Sequence, residues 1–364
     1  MNEEISNLLE LVTAGEWGKE RGNPQGIDTG VIRSANFTKE HQFNDKEIVI
    51  RSIDERKRQK KILLYGDILI EKSGGSPDQP VGRVLFYDLE GEHTCSNFIS
   101  ILRPSKRVDS KFLYYALCNL YRKRVVKNYQ QQTTGIINLQ LGEYLREKIH
   151  FPPLPEQKKI AEIISTIEKK TDLIKKKYCK MTILREAFIN SEINNFRNQS
   201  SIEKVHLENL SLRITDGEHQ TPVRSEKGHY LLSARNIRDG YIDFENVDYI
   251  PQSEYDRISK RIKPQFNDLL ISCSGSVGRS SLVPKNLVFS MVRSVALVRP
   301  NQEILLPEYL LAVFSSHYID NQIRNSSSQL AQSNLFQGAI KKLIIPVPDK
   351  DRQKAIAKVF KNFN

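Results

Sequence analysis

The chain has 364 residues, 39% of them hydrophobic, which is long for one ordinary core and enough to fill about two. Its 55 Lys and Arg against 43 Asp and Glu give a formal net charge of +12, which suits a polyanion such as nucleic acid, although charge alone fits a merely basic soluble protein equally well. The four cysteines (Cys95, Cys118, Cys179, Cys273) form no CxxC pair, no apolar leader follows Met1-Asn2-Glu3-Glu4, and no apolar run approaches the roughly 18 residues of a spanning helix; this argues against a zinc site, a disulfide framework, secretion and a membrane, and for a reducing cytoplasm.

Residues 1–152 read as a globular unit. Short apolar runs at 62–64, 68–70 and 81–86, bounded by Gly, Ser, Pro and Asp, predict strands and turns, and 111–120 predicts a helix. A long helix is predicted over 153–198. Pro155 suits a first helical turn, where its missing N–H is not needed. Beyond it Ile160, Ile164, Ile167, Thr171, Ile174, Tyr178 and Met181 recur at alternating intervals of four and three, a heptad seam, with Lys169, Lys170, Lys175, Lys176 and Lys177 on the solvated side. Such a helix spans about 60 Å from Pro155 to Asn194. It needs a partner for its stripe: an antiparallel helix, another protein or the neighbouring domain. Residues 199–347 read as a second mixed unit with a helix at 307–316. Residues 348–364 read as a short distal helix in which the seam restarts at Ile356, Phe360 and Phe363 and stops well short of the first helix's length.

The second unit repeats the first. Ile99 to Pro104 (ISILRP) returns 196 residues later as Val295 to Pro300 (VALVRP). Val81-Gly82-Arg83 returns at the same shift as Val277-Gly278-Arg279, Gln157 as Gln353, and Ile160-Ala161 as Ile356-Ala357. Asp67-Ile68-Leu69-Ile70 returns 201 residues on as Asp268-Leu269-Leu270-Ile271, because the Gly-rich segment after it is shorter in the second copy. The expected fold class is α+β: two tandem mixed α/β domains, related by an internal pseudo-twofold repeat and separated by long coiled-coil helices.

Particular strings resemble the specificity subunits of type I restriction-modification systems. Phe151-Pro152-Pro153-Leu154-Pro155-Glu156-Gln157-Lys158-Lys159-Ile160-Ala161 is similar to the start of that family's central helix. Thr134-Gly135-Ile136-Ile137-Asn138-Leu139, Gly66-Asp67-Ile68-Leu69-Ile70 and Asp216-Gly217-Glu218-His219-Gln220-Thr221-Pro222 are also family-like, and together these strings cover nearly the whole chain. The first copy departs from the last of them, offering Thr13-Ala14-Gly15-Glu16-Trp17-Gly18-Lys19 instead. The resemblance implies two target-recognition domains on double-stranded DNA, each reading half of a bipartite site. It implies helices that set the spacing and dock two methyltransferase subunits through the seam, and restriction subunits that join them. S-adenosylmethionine, ATP and Mg then belong to those partners, with no cofactor or metal on this chain. A second chain is a further expected partner, completing the short distal helix.

Catalysis by the chain itself is not expected. Ser274-Gly275-Ser276-Val277-Gly278-Arg279 lacks the Lys-Ser/Thr ending of a phosphate-binding loop and reads better as a turn. No Asn/Asp-Pro-Pro-Tyr string is present, and the seven histidines are dispersed. Phosphate contacts are expected from the basic runs at 56–61 and 122–127, which read equally as solvated faces. Base contacts are expected from Gln130, Gln131, Gln132, Thr133 and Thr134 and from the corresponding Ser326, Ser327, Gln329 and Gln332, because Gln amides pair with adenine; an ordinary flexible loop is the alternative. Lys72, Ser73, Arg83, Ser274 and Arg279, with Asp216, His219, Gln220, Thr221 and Arg235, complete the candidates. Two other functions remain open from the residues alone: a stand-alone nucleic-acid-modifying enzyme, and a coiled-coil adaptor that binds only protein.

Overall fold

The structure is a computed structural model that describes residues 2–38, 43–44, 48–76, 79–133, 135–327 and 335–363, without the side chains of Thr133, Arg197 and Ser327. It divides into two compact units, Met1–Leu173 and Ile174–Asn364.

The first unit runs β1 (Asn2–Glu4), β2 (Leu9–Ala14), β3 (Ile27–Ile32), β4 (Val49–Ile53), α1 (Glu55–Lys61), β5 (Ile68–Glu71), β6 (Ser73–Gly74), β7 (Val84–Phe86), β8 (His93–Cys95), β9 (Ile99–Pro104), α2 (Ser110–Arg122), β10 (Gln130–Thr133), β11 (Ile136–Leu139), α3 (Leu141–Tyr144) and β12 (Lys148–His150). Helix α4 (Leu154–Asn198) follows and crosses the boundary between the units. The second unit continues with β13 (Glu203–His206), β14 (Ser211–Asp216), β15 (His229–Leu232), β16 (Asp248–Ile250), α5 (Gln252–Ser259), β17 (Leu269–Ser272), β18 (Ser280–Leu282), β19 (Phe289–Met291), β20 (Val295–Pro300), α6 (Pro307–Phe314), α7 (His317–Ser327), α8 (Gln337–Lys341), β21 (Ile344–Val347) and α9 (Lys350–Lys361).

The repeat in the sequence is a repeat of topology. A four-stranded sheet β2-β9-β5-β7 in the first unit matches β14-β20-β17-β18 in the second. Both carry a register shift at the start of the first strand, between Leu9 and Leu11 and between Ser211 and Arg213. A smaller sheet with one parallel pair, β4-β3-β8, matches β16-β15-β19. The central strands are apolar on both faces, which is why they read as continuous runs rather than alternating ones. Ile68 and Ile70 face one core with Phe112, Leu113 and Leu117 of α2, while Leu69 faces another with Ile99 and Ile101. Leu269 and Ile271 against Leu270 divide in the same way. Each large sheet is therefore sandwiched between helices and the small sheet. The strand expected at 62–64 does not form. That segment follows α1 as irregular chain, and buried Leu63 packs into the second of those cores.

Matched polar contacts hold each unit's frame. Asp67 accepts a two-pronged ion pair from Arg103 at 2.8 and 2.7 Å, and Asp268 accepts one from Arg299 at the same distances. Each carboxylate, charge-paired and hydrogen-bonded, raises its arginine's pKa above the usual value. At the start of each repeat's C-terminal helix a glutamine is sealed from solvent. Gln157 accepts the Asp109 N–H at 2.9 Å and donates to the Pro152 carbonyl at 2.8 Å. Gln353 accepts the Leu306 N–H at 2.9 Å and donates to Pro348 and Ile304 at 2.9 and 3.0 Å. These bonds tie the start of each helix to the chain of its own unit.

No Gly or Pro interrupts α4 between Glu156 and Asn198, which accounts for its 45 residues, or about 67 Å. Its seam is not uniform. Ile160 packs against the first unit's core. Ile167, Ile174 and Tyr178 are 59–69% exposed, and Thr171 is exposed beside them. Ile164 and Met181 are half-buried. Ile189, Ile193 and Phe196, in the last turns, are buried in the second unit's core.

The distal helix corrects one expectation. Ile356 and Phe360 are not a free interface: they are 2% and 3% exposed and pack with those last turns of α4. Phe360 also lies under the Arg185 guanidinium, and Arg352 pairs with Glu192 at 2.6 Å. Phe363 is half-buried. The physical reason is proximity: the apolar face of α9 is satisfied inside its own unit before any partner is needed. The equivalent place in the first unit is an apolar groove of about 860 Å³, walled by Tyr115, Cys118, Ile149, Ile160 and Ile164.

Candidate nucleic-acid interface

In each unit the first strand of the large sheet, β2 or β14, is followed at once by a glycine that the fold requires. A Cβ on Gly15 would lie 2.1 Å from the Cys95 carbonyl oxygen, and one on Gly217 would lie 2.3 Å from that of Val292. The Gly15 and Gly217 N–H groups donate to Ile99 and Val295, and the next residues, Glu16 and Glu218, donate to Cys95 and Met291. Facing this turn is a short 3-10 turn, Ser34–Asn36 in one unit and Ala234–Asn236 in the other. Its last residue is a buried asparagine that ties the turn down. Asn36 Oδ1 accepts the Arg33 N–H at 2.9 Å while its amide donates to Asn44 at 2.8 Å; Asn236 does the same to Ser233 and Asp243 at 3.0 and 2.9 Å. Against the 3-10 turn each unit has a surface concavity, of about 450 Å³ in the first and about 410 Å³ in the second; the glycine turn lines the first through Trp17, while the 274–276 turn lines the second.

The first concavity is lined by Trp17, Arg33, Ser34, Ala35 and the 96–98 loop, with Phe98 half exposed at its rim. Trp17 is held under the Arg51 guanidinium, 4.9 Å from the ring centre. The second is lined by Arg235, Arg238, Arg279, Ser294 and the 274–276 turn. Arg235 pairs with Asp248 at 2.8 Å and Arg238 with Asp243 at 3.1 Å, which orients both guanidinium groups.

Arg83 and Arg279, equivalent in sequence, do different work. Arg83 is buried. Its guanidinium pairs with Glu71 through bonds of 3.0 Å and donates to the carbonyls of Phe37 and Ser34. As a DNA contact Arg83 is therefore corrected: it braces the 3-10 turn from behind. Backbone pairing puts Ser272 where Glu71 stands, since Glu71 N–H donates to Arg83 and Ser272 N–H to Arg279. Without that carboxylate Arg279 turns outward, 4.0 Å from Asp239 and about a third exposed.

The remaining candidates scatter more widely. His219, exposed, pairs with Asp216 at 2.9 Å, and Gln220 and Thr221 are exposed beside it. Lys72 and Ser73 are half-buried; Ser73 donates to Asn138 at 2.6 Å. Ser274 lies in the β17–β18 turn, where Gly275 and Gly278 take the left-handed conformation. The polar tract in the first unit is a strand rather than a flexible loop, with Gln130 opposite Leu139 and Thr133 opposite Ile136. Gln130 donates to the Val81 carbonyl, while Gln131 and Gln132 are exposed. The tract expected to correspond to it differs. Ser326 and Ser327 end helix α7, and the Ser326 hydroxyl bonds back to Ile323 at 2.8 Å, because Ile319 and Ile323 give that segment a helical apolar face. Thr134, Gln329 and Gln332 lie outside the described residues. The basic run at 56–61 forms α1, and two of its lysines are spent on Glu16: Lys57 at 3.1 Å and Lys61 at 2.9 Å. The Lys61 hydrogen bond, more than any other cause, holds the Glu16 carboxyl below its usual pKa.

Among the described residues no group of His, Cys, Asp and Glu could hold a metal ion, and no helix is long and apolar enough to cross a membrane. Sequence reading missed Trp17, Ala35, Phe98, Arg238 and Ser294 as site residues; Trp17 stands in the string that replaces Asp216 to Pro222, but the string alone does not pair it with His219.

Two copies of one α/β unit, with different side chains beside the matched turns, define a duplicated α/β protein with two candidate recognition surfaces. The chain belongs to the family described as the type I restriction modification DNA specificity domain, which matches residues 5–182 and 223–364. It is similar to the type I restriction enzyme EcoKI specificity subunit of Escherichia coli K12, 26% identical over 375 residues, with 97% of this chain and 80% of that one covered. It is likewise similar to the putative type I restriction enzyme MjaX specificity subunit of Methanocaldococcus jannaschii, 24% identical over 377 residues, covering 98% and 85%. Among solved structures, the S subunit of a type I restriction-modification system from M. genitalium shares the fold, with a TM-score of 0.65 at 14% identity over 100% of this chain and 88% of that one.

Proposed function

We propose that this chain is a non-catalytic subunit that selects the DNA sequence for a modification and restriction complex, each unit reading one half of a bipartite site. The observation that carries this reading is the repeated pair of turns: one frame, held by the same hydrogen bonds in both units, with different side chains lining the recess beside it. One scaffold used twice with different chemistry is what reading two different half-sites requires. Family membership disfavours the alternatives of a stand-alone enzyme and a protein-only adaptor.

In this proposal α4 sets the distance between half-sites, and its exposed Ile167, Ile174 and Tyr178 dock methyltransferase subunits, two by the symmetry of the repeat. Restriction subunits join that assembly in the cytoplasm. S-adenosylmethionine, ATP and Mg are bound by those partners. A further chain supplies a helix to the apolar groove of the first unit, where the second unit already holds the last turns of α4.

The test exchanges residues 1–152 for the corresponding unit of another family member. Selection from a random DNA library then reads the preferred site. One half-site is expected to change while the other and the spacing persist. A change in both halves, or in neither, refutes modular reading.

A further inference from the structure

The two recesses can be matched position by position from backbone contacts rather than from sequence similarity. Gly15 and Gly217 are equivalent by their identical pairings, so Trp17 and His219, each two residues on, occupy the same place. The buried Asn36 and Asn236 fix the 3-10 turns in register, which puts Ala35 where the second unit has Arg235. Ile99 and Val295 donate back to Ser96 and Val292, and the carbonyls of Phe98 and Ser294 accept from Lys72 and Cys273. Phe98 therefore answers to Ser294. At three equivalent points, then, the first unit carries Trp, Ala and Phe and the second His, Arg and Ser; all three line the first recess, and Arg235 and Ser294 line the second.

The backbone bonds that fix these points are shared, so these three side chains are not what sets the turns. Phe98 is 48% exposed at the rim, an apolar ring that the core does not use. The Arg235 side chain is 52% exposed yet oriented by Asp248, and Arg279 joins it because its partner carboxylate has become Ser272.

We infer that these recesses are the base-reading pockets, and that they read different bases: the second unit takes a guanine edge with Arg235 and Arg279, while the first takes a thymine methyl against Trp17, Ala35 and Phe98. This rests on the reading of the chain as a two-headed DNA selector and deepens it. A guanidinium matches the guanine O6 and N7 acceptors with two N–H donors. Beside Arg33, Ser34 and the polar residues of the 96–98 loop, the first recess is walled by two aromatic rings and a methyl group, and that apolar wall fits the 5-methyl of thymine, the one apolar group in the major groove.

The experiment selects bound sequences from a random duplex library with the full-length wild-type chain and its variants, in the presence of the methyltransferase subunit from the same genome. Arg235→Ala is expected to cut the preference for one guanine in one half-site by about tenfold or more, leaving the other half-site unchanged. Arg235→Lys, which keeps the charge but loses the fork, is expected to lose the same preference. Trp17→Ala with Phe98→Ser is expected to relax one thymine in the other half-site. Two outcomes overturn the inference. In one, Arg235→Ala weakens all sequences alike and lowers the salt slope by about one, marking a phosphate contact. In the other, all three variants keep the wild-type site. Wild-type chain that selects no bipartite site would instead refute the underlying function, so the two failures are told apart.

Discussion

Replacing Gln157 by Leu tests how each unit grips its helix. The side chain is completely buried, and both ends of its amide are used: on the Asp109 N–H at 2.9 Å and the Pro152 carbonyl at 2.8 Å. Leucine fills the space but leaves one donor and one acceptor dry. Each such group costs about 1–3 kcal/mol, and the added apolar burial offsets part of that, so a net loss of about 3 kcal/mol is expected. With a urea slope of about 2 kcal/mol per molar, the unfolding midpoint of the first unit falls by about 1.5 M. The sequence contains one tryptophan, and Trp17 lies in the first unit, so its fluorescence reports that unit alone. Gln353→Leu removes three bonds from the second unit and should move the circular-dichroism transition while leaving the Trp17 midpoint in place. If Gln157→Leu leaves the Trp17 midpoint unchanged, or Gln353→Leu shifts it equally, the two clamps do not act as argued.

Phe360→Ala should destabilise the second unit by about 3–5 kcal/mol through the cavity it opens among Ile189, Ile193 and Phe196, whereas Ile174→Asp on the exposed stripe should change stability by less than about 0.5 kcal/mol; urea unfolding compares them directly. Alkylation at pH 8 followed by mass spectrometry should label exposed Cys179 first. Cys118, half-buried in the groove wall and pushed up to about 12 by burial, should follow slowly; Cys273, also pushed up to about 12, and buried Cys95 should react only in denaturant, and early labelling of Cys273 would contradict its packing. The Glu16 carboxyl is lowered chiefly by its hydrogen bond from Lys61, so its contribution is present above the ordinary carboxylate range and is lost as pH falls through the lowered folded value. Glu16→Gln should therefore lower stability modestly at pH 7, by under about 1 kcal/mol, and the difference from wild type should close under acid conditions.

The duplication, the mixed α/β class and the start of α4 were legible in the sequence because each rests on local order. Repeated strings keep one shift, Pro155 fits a first helical turn, and a 3.5-residue period persists wherever the helix is not interrupted. The site was legible only in part. Arg83 and Arg279 are the same letter in the same string, and what separates them is the residue across the strand, Glu71 or Ser272, a neighbour the string does not reveal. Ile160 and Ile356 occupy the same repeat position, yet Ile356 is fully packed because α4's own last turns fold back on it through Ile189, Ile193 and Phe196. Trp17, Ala35 and Phe98 are far apart in the chain, and nothing in their spacing joins them. They meet because a glycine with no room for a Cβ and an asparagine with two backbone bonds bring three loops to one rim. Periodicity and repetition fix the elements, since they act between near neighbours. Which side chains face outward together depends on contacts between distant strands, and only the tertiary structure supplies those.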